Sequence, residues 1–361
     1  MIRILHAADL HLDSPFAALG PDQAAQRREE QRQMLRRLCE AAQRRDCQLL
    51  LLAGDLFDSR QVYRETAELL RDLLGQMKCR VFIAPGNHDP WSPESPYASL
   101  DWPENVHIFR SGRVEAVRLE EPAVTVYGAA FTEPRSGSLL KGFHAQEEDR
   151  PKIMVLHGTL GDPASVYNPV SAEEAAASGL DYLALGHVHS GDLQIFGRTT
   201  AAYPGCPMGR GFDETGSKGA LYIEVDGSGC QVERVPLGGR RYERLRVRAG
   251  SDPLSAILEE LPADTGRDIY RITLTGPCPS VDLRALRTAL APRFFGLELI
   301  DATQPPQALW QGAAEDSLRG EFLRRLKACY DGETEPEARR LVTQALRLGL
   351  AVLDGREVPE L

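Results

Sequence analysis

The chain predicts an α/β protein with two packed β-sheets, on three observations. Strand-like apolar runs alternate with helical patterns from residue 1 to about 190, the signature of βαβ units. Further strand-like runs after that point supply a second sheet packed on the first. Five apolar runs, IRILHAAD, LLLLAGD, VFIAPGNHD, KIMVLHG and YLALGH, end directly in short blocks of Asp, Asn, Gly or His. In open α/β sheets the carboxyl ends of neighbouring strands face one crevice, where ligands bind.

The elements follow in order. After the first strand, a helix is expected over about 22–46, with Leu35, Leu38 and Ala42 in its apolar stripe. Its other faces carry Arg27, Arg28, Arg32, Arg36, Arg37, Arg44 and Arg45 and read as solvated, with a nucleic-acid contact as the alternative. A second helix is expected near 62–78. Runs at 106–109, 114–119 and 124–130 read as consecutive antiparallel strands. LQIFGRTTAAYPG, KGALYIEVDG and CQVERVPLG are expected to complete the second sheet.

Gly238-Gly239 marks a boundary, so residues 1–238 form the domain that carries the chemistry. Within 239–302, RYERLRVRA, DIYRITLTGP and GLELIDAT read as strands separated by two helices. Two β-α-β passes of this length suggest a small sheet with helices on one face. That segment holds no cluster of titratable residues, so it is expected to shape or cover a site. Residues 303–361 form the third part. DATQPPQALWQG reads as a linker by its Pro-Pro and polar content, and helices follow near 315–330 and 336–353. Leu318, Phe322, Leu326 and Tyr330 line one face of the first; Leu341, Ala345, Leu348 and Val352 line the second, with Val342, Leu346 and Leu353 beside them. A stripe this wide must bury against something: the hairpin packs on itself or on the body of the protein, or it docks a partner helix.

Composition narrows the class. The 361 residues suffice for two or three domains, and 42% hydrophobic with 26% charged residues is ordinary for a globular protein. No apolar run is long enough for a membrane span, and the first residues lack the basic region and cleavage site of a signal peptide. Seven cysteines without a CxxC pair favour a reducing, cytoplasmic setting and argue against a thiolate zinc site. A formal charge of −10 disfavours indiscriminate binding to nucleic acid, while leaving room for a local basic groove.

The chemistry lies in the blocks: Asp9 and His11, Asp55, Asn87-His88-Asp89, His157, and His187 with His189. Asp55 has two carboxylate oxygens and can bridge two cations. One metal would take Asp9, His11, Asp55 and His189; the other Asp55, Asn87, His157 and His187. Mixed nitrogen and oxygen ligation without thiolate favours manganese, iron, zinc or cobalt over magnesium or calcium. Gly86 is expected to permit a tight turn before Asn87. Two metals roughly 3.5–4 Å apart clamp an in-line displacement at phosphorus. His88, left over from ligation, would donate a proton to the leaving oxygen or stabilise the transition state, with Asp89 holding its ring. Asp13 and Asp58 read as supporting or turn residues, and His6, His107 and His144 as core or surface residues. Metal-assisted phosphoester hydrolysis follows from these residues; the substrate does not. A small-molecule or cyclic-nucleotide phosphodiesterase, and an assembly subunit with a secondary metal site, stand as alternatives to a nuclease.

The ordered set DxH, GD, GNHD, HG and GHVH resembles the calcineurin-like metallophosphoesterase superfamily. ADLHLDSPF, GDLFDS and GHVH look like its DNA-repair exonuclease branch, the SbcD and YhaO type of subunit. The resemblance covers about residues 1–215. It implies a four-layer α/β/β/α sandwich with a small α+β capping domain and a C-terminal helical hairpin. It also implies two manganese ions on the ligands named above, with His88 as catalytic histidine. DNA would be the substrate, cut by exonuclease action and by single-strand endonuclease action. An SbcC-like coiled-coil ATPase would be the partner of the hairpin, and a homodimer is implied through the first two helices. Two departures stand out: Cys206 occupies a place where relatives tend to show serine, and Asp58 follows the bacterial pattern where others carry histidine.

Overall fold

Leu49–Leu52 are four consecutive leucines, all fully buried, because two different surfaces cover the strand they form. Successive side chains of a strand point to opposite faces. Leu50 and Leu52 enter a core shared with Leu35, Leu38 and Leu70 of the helices, whereas Leu49 and Leu51 meet Val126, Ile153 and Val155 of a second sheet. On the far side of that sheet, Met154, Leu156, Leu183 and Leu185 pack with Ala175 and Leu180. Three apolar seams separate four layers, α/β/β/α, which is why so many runs are apolar without alternation.

The computed structural model describes residues 1–59, 62–226 and 229–355; residues 356–361, the end of the expected third segment, lie outside the described residues. The chain divides into two compact units, Met1–Gly239 and Arg240–Leu361. The first runs β1 (Ile2–Ala7), α1 (Pro21–Arg44), β2 (Leu49–Leu52), α2 (Arg64–Gly75), β3 (Arg80–Ile83), α3 (Pro96–Ser99), β4 (Val106–Ile108), β5 (Glu115–Leu119) and β6 (Val124–Gly128). It continues through β7 (Lys152–His157), β8 (Thr159–Leu160), β9 (Pro169–Val170), α4 (Ala172–Ala177), β10 (Tyr182–Gly186), β11 (Asp192–Phe196), β12 (Thr199–Tyr203), β13 (Gly219–Asp226) and β14 (Gly229–Pro236). One sheet has the order β14-β13-β1-β2-β3-β4 and the other β11-β12-β10-β7-β6-β5.

Three expectations for the sheets and first helix of this unit need correction. β13 and β14 join the first sheet rather than the second: β13 pairs antiparallel with β1, Ile2 opposite Val225. Apolar alternation shows that a segment is a strand but not which edge it will extend. β4 is parallel to β3 in the first sheet, so only β5 and β6 of the three consecutive runs form an antiparallel pair. Arg27 is fully buried rather than solvated, with Nη2 donating to the Gly209 carbonyl at 2.7 Å.

The second unit holds β15 (Tyr242–Arg248), α5 (Pro253–Glu260), β16 (Ile269–Pro277), α6 (Leu283–Leu290) and β17 (Gly296–Gln304). The three strands are parallel in sequential order, as two β-α-β passes require. Asp252 and Asp282 cap the two helices by accepting from Ser255 N and Ala285 N. Val247, Ile257, Ile272, Leu274, Leu286 and Leu290 close one core over the sheet. The expected linker is instead the end of β17 followed by a 3-10 helix, Gln307–Ala314, whose Trp310 packs with the helices beyond.

Those helices are α7 (Leu318–Gly332) and α8 (Pro336–Leu353). Their buried contact is made by Leu323, Leu346 and Leu350, with Phe322 and Leu326 beside them. The expected stripe on α8 is therefore rotated, and Leu341 and Val352 stay 58% and 64% exposed. Apolar residues occur at adjacent helical positions, so periodicity alone did not choose between two faces. Arg347 decides the matter by reaching Asp301, Thr303 Oγ1 and the Cys278 carbonyl from α8.

Candidate metal centre

Two loops run side by side at the head of the first sheet. Asp9 N donates to the Gly54 carbonyl (3.0 Å), His11 N to Asp55 O (3.0 Å) and Leu12 N to Leu56 O (2.8 Å). This pairing carries Asp9 and His11 to Asp55. Both segments bend through left-handed backbone, with φ of 55° at Asp9, 43° at His11 and 51° at Asp55, and His187, after β10, also has a positive φ of 103°. Such conformations cost non-glycine residues about 1–3 kcal/mol each and gather at functional sites. Gly54 makes the approach of the second sheet possible: a Cβ there would lie 2.5 Å from His157 Nδ1. Gly86 serves close approach rather than a tight turn, since its Cβ would fall 2.2 Å from Asp55 Oδ1.

The blocks from five strand ends of two sheets converge here. Asp9, His11 and His189 form one group and Asp55, His157 and His187 another, each with ligand atoms within 4.8 Å of one another. His11 Nε2 lies 3.2 Å from His189 Nε2, and His189 Nε2 lies 3.8 Å from Asp9 Oδ1. Asn87 Oδ1 sits 3.0 Å from His157 Nε2 and 3.1 Å from His187 Nδ1. Between the groups is Asp55, whose Oδ2 is 3.3 Å from His157 Nε2 and 3.8 Å from His11 Nε2. Imidazole nitrogens and carboxylate oxygens crowded in this way form divalent-cation sites, and a nitrogen–oxygen set without thiolate suits a transition metal.

His88 stands exposed at the rim, its ring edge-on to His11 at 4.9 Å. Its Nδ1 faces the Asp58 carbonyl at 3.0 Å, which leaves Nε2 as the atom presented outward. Asp89 does not hold that ring, contrary to expectation. Its buried carboxylate accepts from Asp55 N (3.2 Å), Leu56 N (2.7 Å), Gly86 N (2.8 Å) and Tyr97 Oη (2.5 Å). Asp89 thus organises the Asp55 loop.

The groups outside the set behave as core and surface. His6 is buried against Tyr182 Oη at 2.9 Å, His107 packs on Phe82 and Phe109, and exposed His144 meets the Ala177 carbonyl. Asp13 accepts from Tyr63 N and Thr66 Oγ1. Cys206 is buried, with Sγ 3.7 Å from the His189 carbonyl.

Sequence reasoning missed Glu214 and Arg210. Glu214 Oε1 lies 2.6 Å from His189 Nδ1, and Arg210 Nη2 donates to the same oxygen at 3.1 Å. Both sit in GRGFDETG, which follows no apolar run; their only signal is an acid four residues after a base. Asn168 was also missed, and its Nδ2 donates to the His157 carbonyl at 2.7 Å.

Burial would raise the Asp55 carboxyl, but the charge and hydrogen bond of His157 hold it well below the usual range. Burial would lower His157, and Asp55 outweighs it, raising that imidazole to about 9. Burial lowers His11 and His187 to about 4 each, and it is the main cause of the rise of Asp9 to about 6. For His189, the Glu214 hydrogen bond outweighs burial and the result is a raised imidazole. These are properties of the protein groups alone, and a bound cation competes with each of these protons.

Relatives place this geometry. Residues 2–191 match the family model for calcineurin-like phosphoesterases. YhaO of Bacillus subtilis strain 168, an uncharacterized metallophosphoesterase, is 32% identical over 348 residues, covering 89% of this chain and 83% of that protein. The double-strand break repair protein Mre11 of Aeropyrum pernix is 27% identical over 271 residues, covering 69% of this chain and 64% of Mre11. SbcD, a component of the Bacillus subtilis SbcCD nuclease, is 24% identical over 258 residues, covering 60% of this chain and 64% of SbcD. With the family model matched across more than half of the chain, and a relative aligned along most of it, the protein belongs to the calcineurin-like phosphoesterases and carries a metal-dependent phosphoesterase site.

Proposed function

We propose that the chain is the nuclease component of a DNA-repair assembly, hydrolysing DNA phosphodiester bonds as a manganese-dependent exonuclease. A single observation carries this reading: relatives named as a break-repair protein and as part of a nuclease align over most of the chain that holds the crevice. Asp9, His11, Asp55 and His189 would hold one ion, and Asp55, Asn87, His157 and His187 the other. When bound, such a pair supplies a water nucleophile near neutral pH and neutralises the non-bridging phosphate oxygens.

The chain's own residues do the rest. Asp55 faces both groups, and its Oδ1 is pinned by His88 N at 2.9 Å. His187 N donates to both Asp9 oxygens at 3.0 and 3.1 Å, so one carboxylate is set by the opposite sheet. His88, anchored by donating Nδ1–H to the Asp58 carbonyl, would as the imidazolium offer Nε2–H to the leaving oxygen or the developing charge. The test is His88→Ala assayed on 3′- and 5′-labelled linear duplex DNA with Mn²⁺. Metal content should be unchanged and hydrolysis should fall about 10²–10⁴-fold; full activity would remove His88 from the mechanism. A small chromogenic diester turned over far better than DNA by the wild type would instead favour a small-molecule phosphodiesterase.

The partner would be a coiled-coil ATPase of the SbcC type, docked on the helical pair. The exposed Leu341 and Val352 of α8, eleven positions apart on one helical face, support this reading. Leu341→Glu with Val352→Glu should abolish co-purification with such an ATPase and spare hydrolysis of the diester. Retained binding would remove the docking assignment.

A further inference from the structure

One charged assembly lies behind the histidines of the first metal group. Buried Glu214 places Oε1 2.6 Å from His189 Nδ1, and its Oε2 accepts from Arg210 N at 2.7 Å. Arg210 Nη2 donates to Glu214 Oε1 at 3.1 Å, while Nη1 donates to Asp58 Oδ1 at 2.8 Å. The same Asp58 oxygen lies 3.2 Å from His11 Nδ1, close but short of a hydrogen bond, and accepts from Ser14 Oγ at 3.0 Å. Each imidazole therefore has a carboxylate at its back, and one guanidinium joins the two carboxylates.

We propose that Arg210, Glu214 and Asp58 form a positioning clasp that sets the His11 and His189 rings, and so governs the affinity of the metal position those rings share. The proposal rests on the ligand reading given above. A carboxylate facing Nδ1 keeps the proton on that nitrogen and leaves the Nε2 lone pair free. The two Nε2 atoms are those that face each other at 3.2 Å. A planar guanidinium fixes the angle between its two arms, which an ammonium does not. Because both arms already hold carboxylates, Arg210 is spoken for as a structural cation and is not the phosphate contact that an arginine beside a phosphoesterase site would suggest.

Among the described residues, no carboxylate stands behind the rings of the second group. His157 Nδ1 faces the Ala53 carbonyl at 2.9 Å, and His187 lies against the Tyr167 ring at 4.9 Å. The clasp should therefore act on one ion and not the other. Its back contacts differ in strength, so Glu214 should matter more than Asp58.

The experiment is calorimetric Mn²⁺ titration of the chelator-stripped full chain, with the Mn²⁺-induced rise in Tm as a second readout. Wild type should bind two ions. Glu214→Ala should weaken one of them about 10–100-fold and leave the other unchanged. Glu214→Gln, which keeps an oxygen to accept from Nδ1–H, should restore most of that loss. Two ions at wild-type affinity in Glu214→Ala, or equal weakening of both, overturns the clasp. Should Glu214→Ala not fold, Arg210→Lys decides: charge without the fork should weaken one ion, and unchanged affinities overturn the proposal. A raised KM for DNA in Arg210→Lys with unchanged Mn²⁺ affinities would make Arg210 a substrate contact and likewise end it. Fewer than two ions in the wild type would sink the ligand reading itself, and the clasp with it.

Discussion

The two halves of the crevice use the same kinds of donor but hold them differently. On the His11 side, carboxylates of Asp58 and Glu214 stand behind the rings, tied by Arg210. On the His157 side a backbone carbonyl, Ala53 O, does that work, with Phe131 edge-on to the ring at 5.7 Å. A backbone carbonyl is fixed by the sheet and cannot be removed by substitution. A side-chain clasp sits on a loop and can be tuned one residue at a time. The difference separates a half built into the strand ends from a half assembled by long-range charge pairing.

Asp55 is where the halves meet, so changing it should produce the largest effect and break the distinction. Asp55→Asn keeps the shape and one oxygen but removes the charge that both groups face. Both Mn²⁺ affinities should fall beyond the roughly 10–100-fold of an outer-shell change, and hydrolysis should fall with them. Titration of the variant checks this. Loss of one ion alone would assign Asp55 to a single half.

Proton competition should be the next largest effect. His157 is raised by Asp55 to about 9 in the folded protein, against an ordinary value near 6.5. A raised histidine stabilises the folded state fully below about pH 6.5, and that contribution is lost as pH rises through about 9. In chelator, Tm should therefore drop between about pH 6.5 and 9. With Mn²⁺ the sign reverses, because the cation must displace the His157 proton, so affinity should climb over the same window. Buffer-dependent calorimetry near pH 8 should register proton release. A flat profile in both conditions would show that the Asp55–His157 pair is not charged as described.

Which parts of this comparison were legible in the sequence follows from the range of each interaction. DxH, GNHD and GHVH place their donors through local spacing after a strand, and strand ends of an α/β protein converge by topology. Two packed sheets could be read from the alternation of strand-like and helical runs, whereas the four-layer order came only with the family resemblance. Glu214 reaches His189 across 25 residues and Arg210 reaches Asp58 across 152, with no periodic pattern to announce either contact. Adjacency also misled: Asp89 follows His88 directly, yet the two side chains diverge, one into the Asp55 loop and one to the rim. Strand partners were illegible for the same reason, since β13 reads as a strand whether it extends β1 or the other sheet.

The smallest expected effect concerns the loop that carries His189. Cys206 is buried, and burial pushes its thiol up to about 12, so it is a neutral group near neutral pH. Its Sγ sits 3.7 Å from the His189 carbonyl, a weak donor to the backbone that positions the imidazole. Cys206→Ser replaces a long, weak contact with a shorter side chain and a stronger hydroxyl donor. The gain in hydrogen bonding and the loss of packing around a smaller oxygen oppose each other, and each is on the order of 1 kcal/mol. Tm should therefore shift by only a few degrees, and Mn²⁺ affinity should be unchanged because the ring itself is held by Glu214. Were the serine variant to lose one ion selectively, the His189 backbone rather than the carboxylate behind its ring would control that half, and the contrast between the halves would have to be redrawn around the loop.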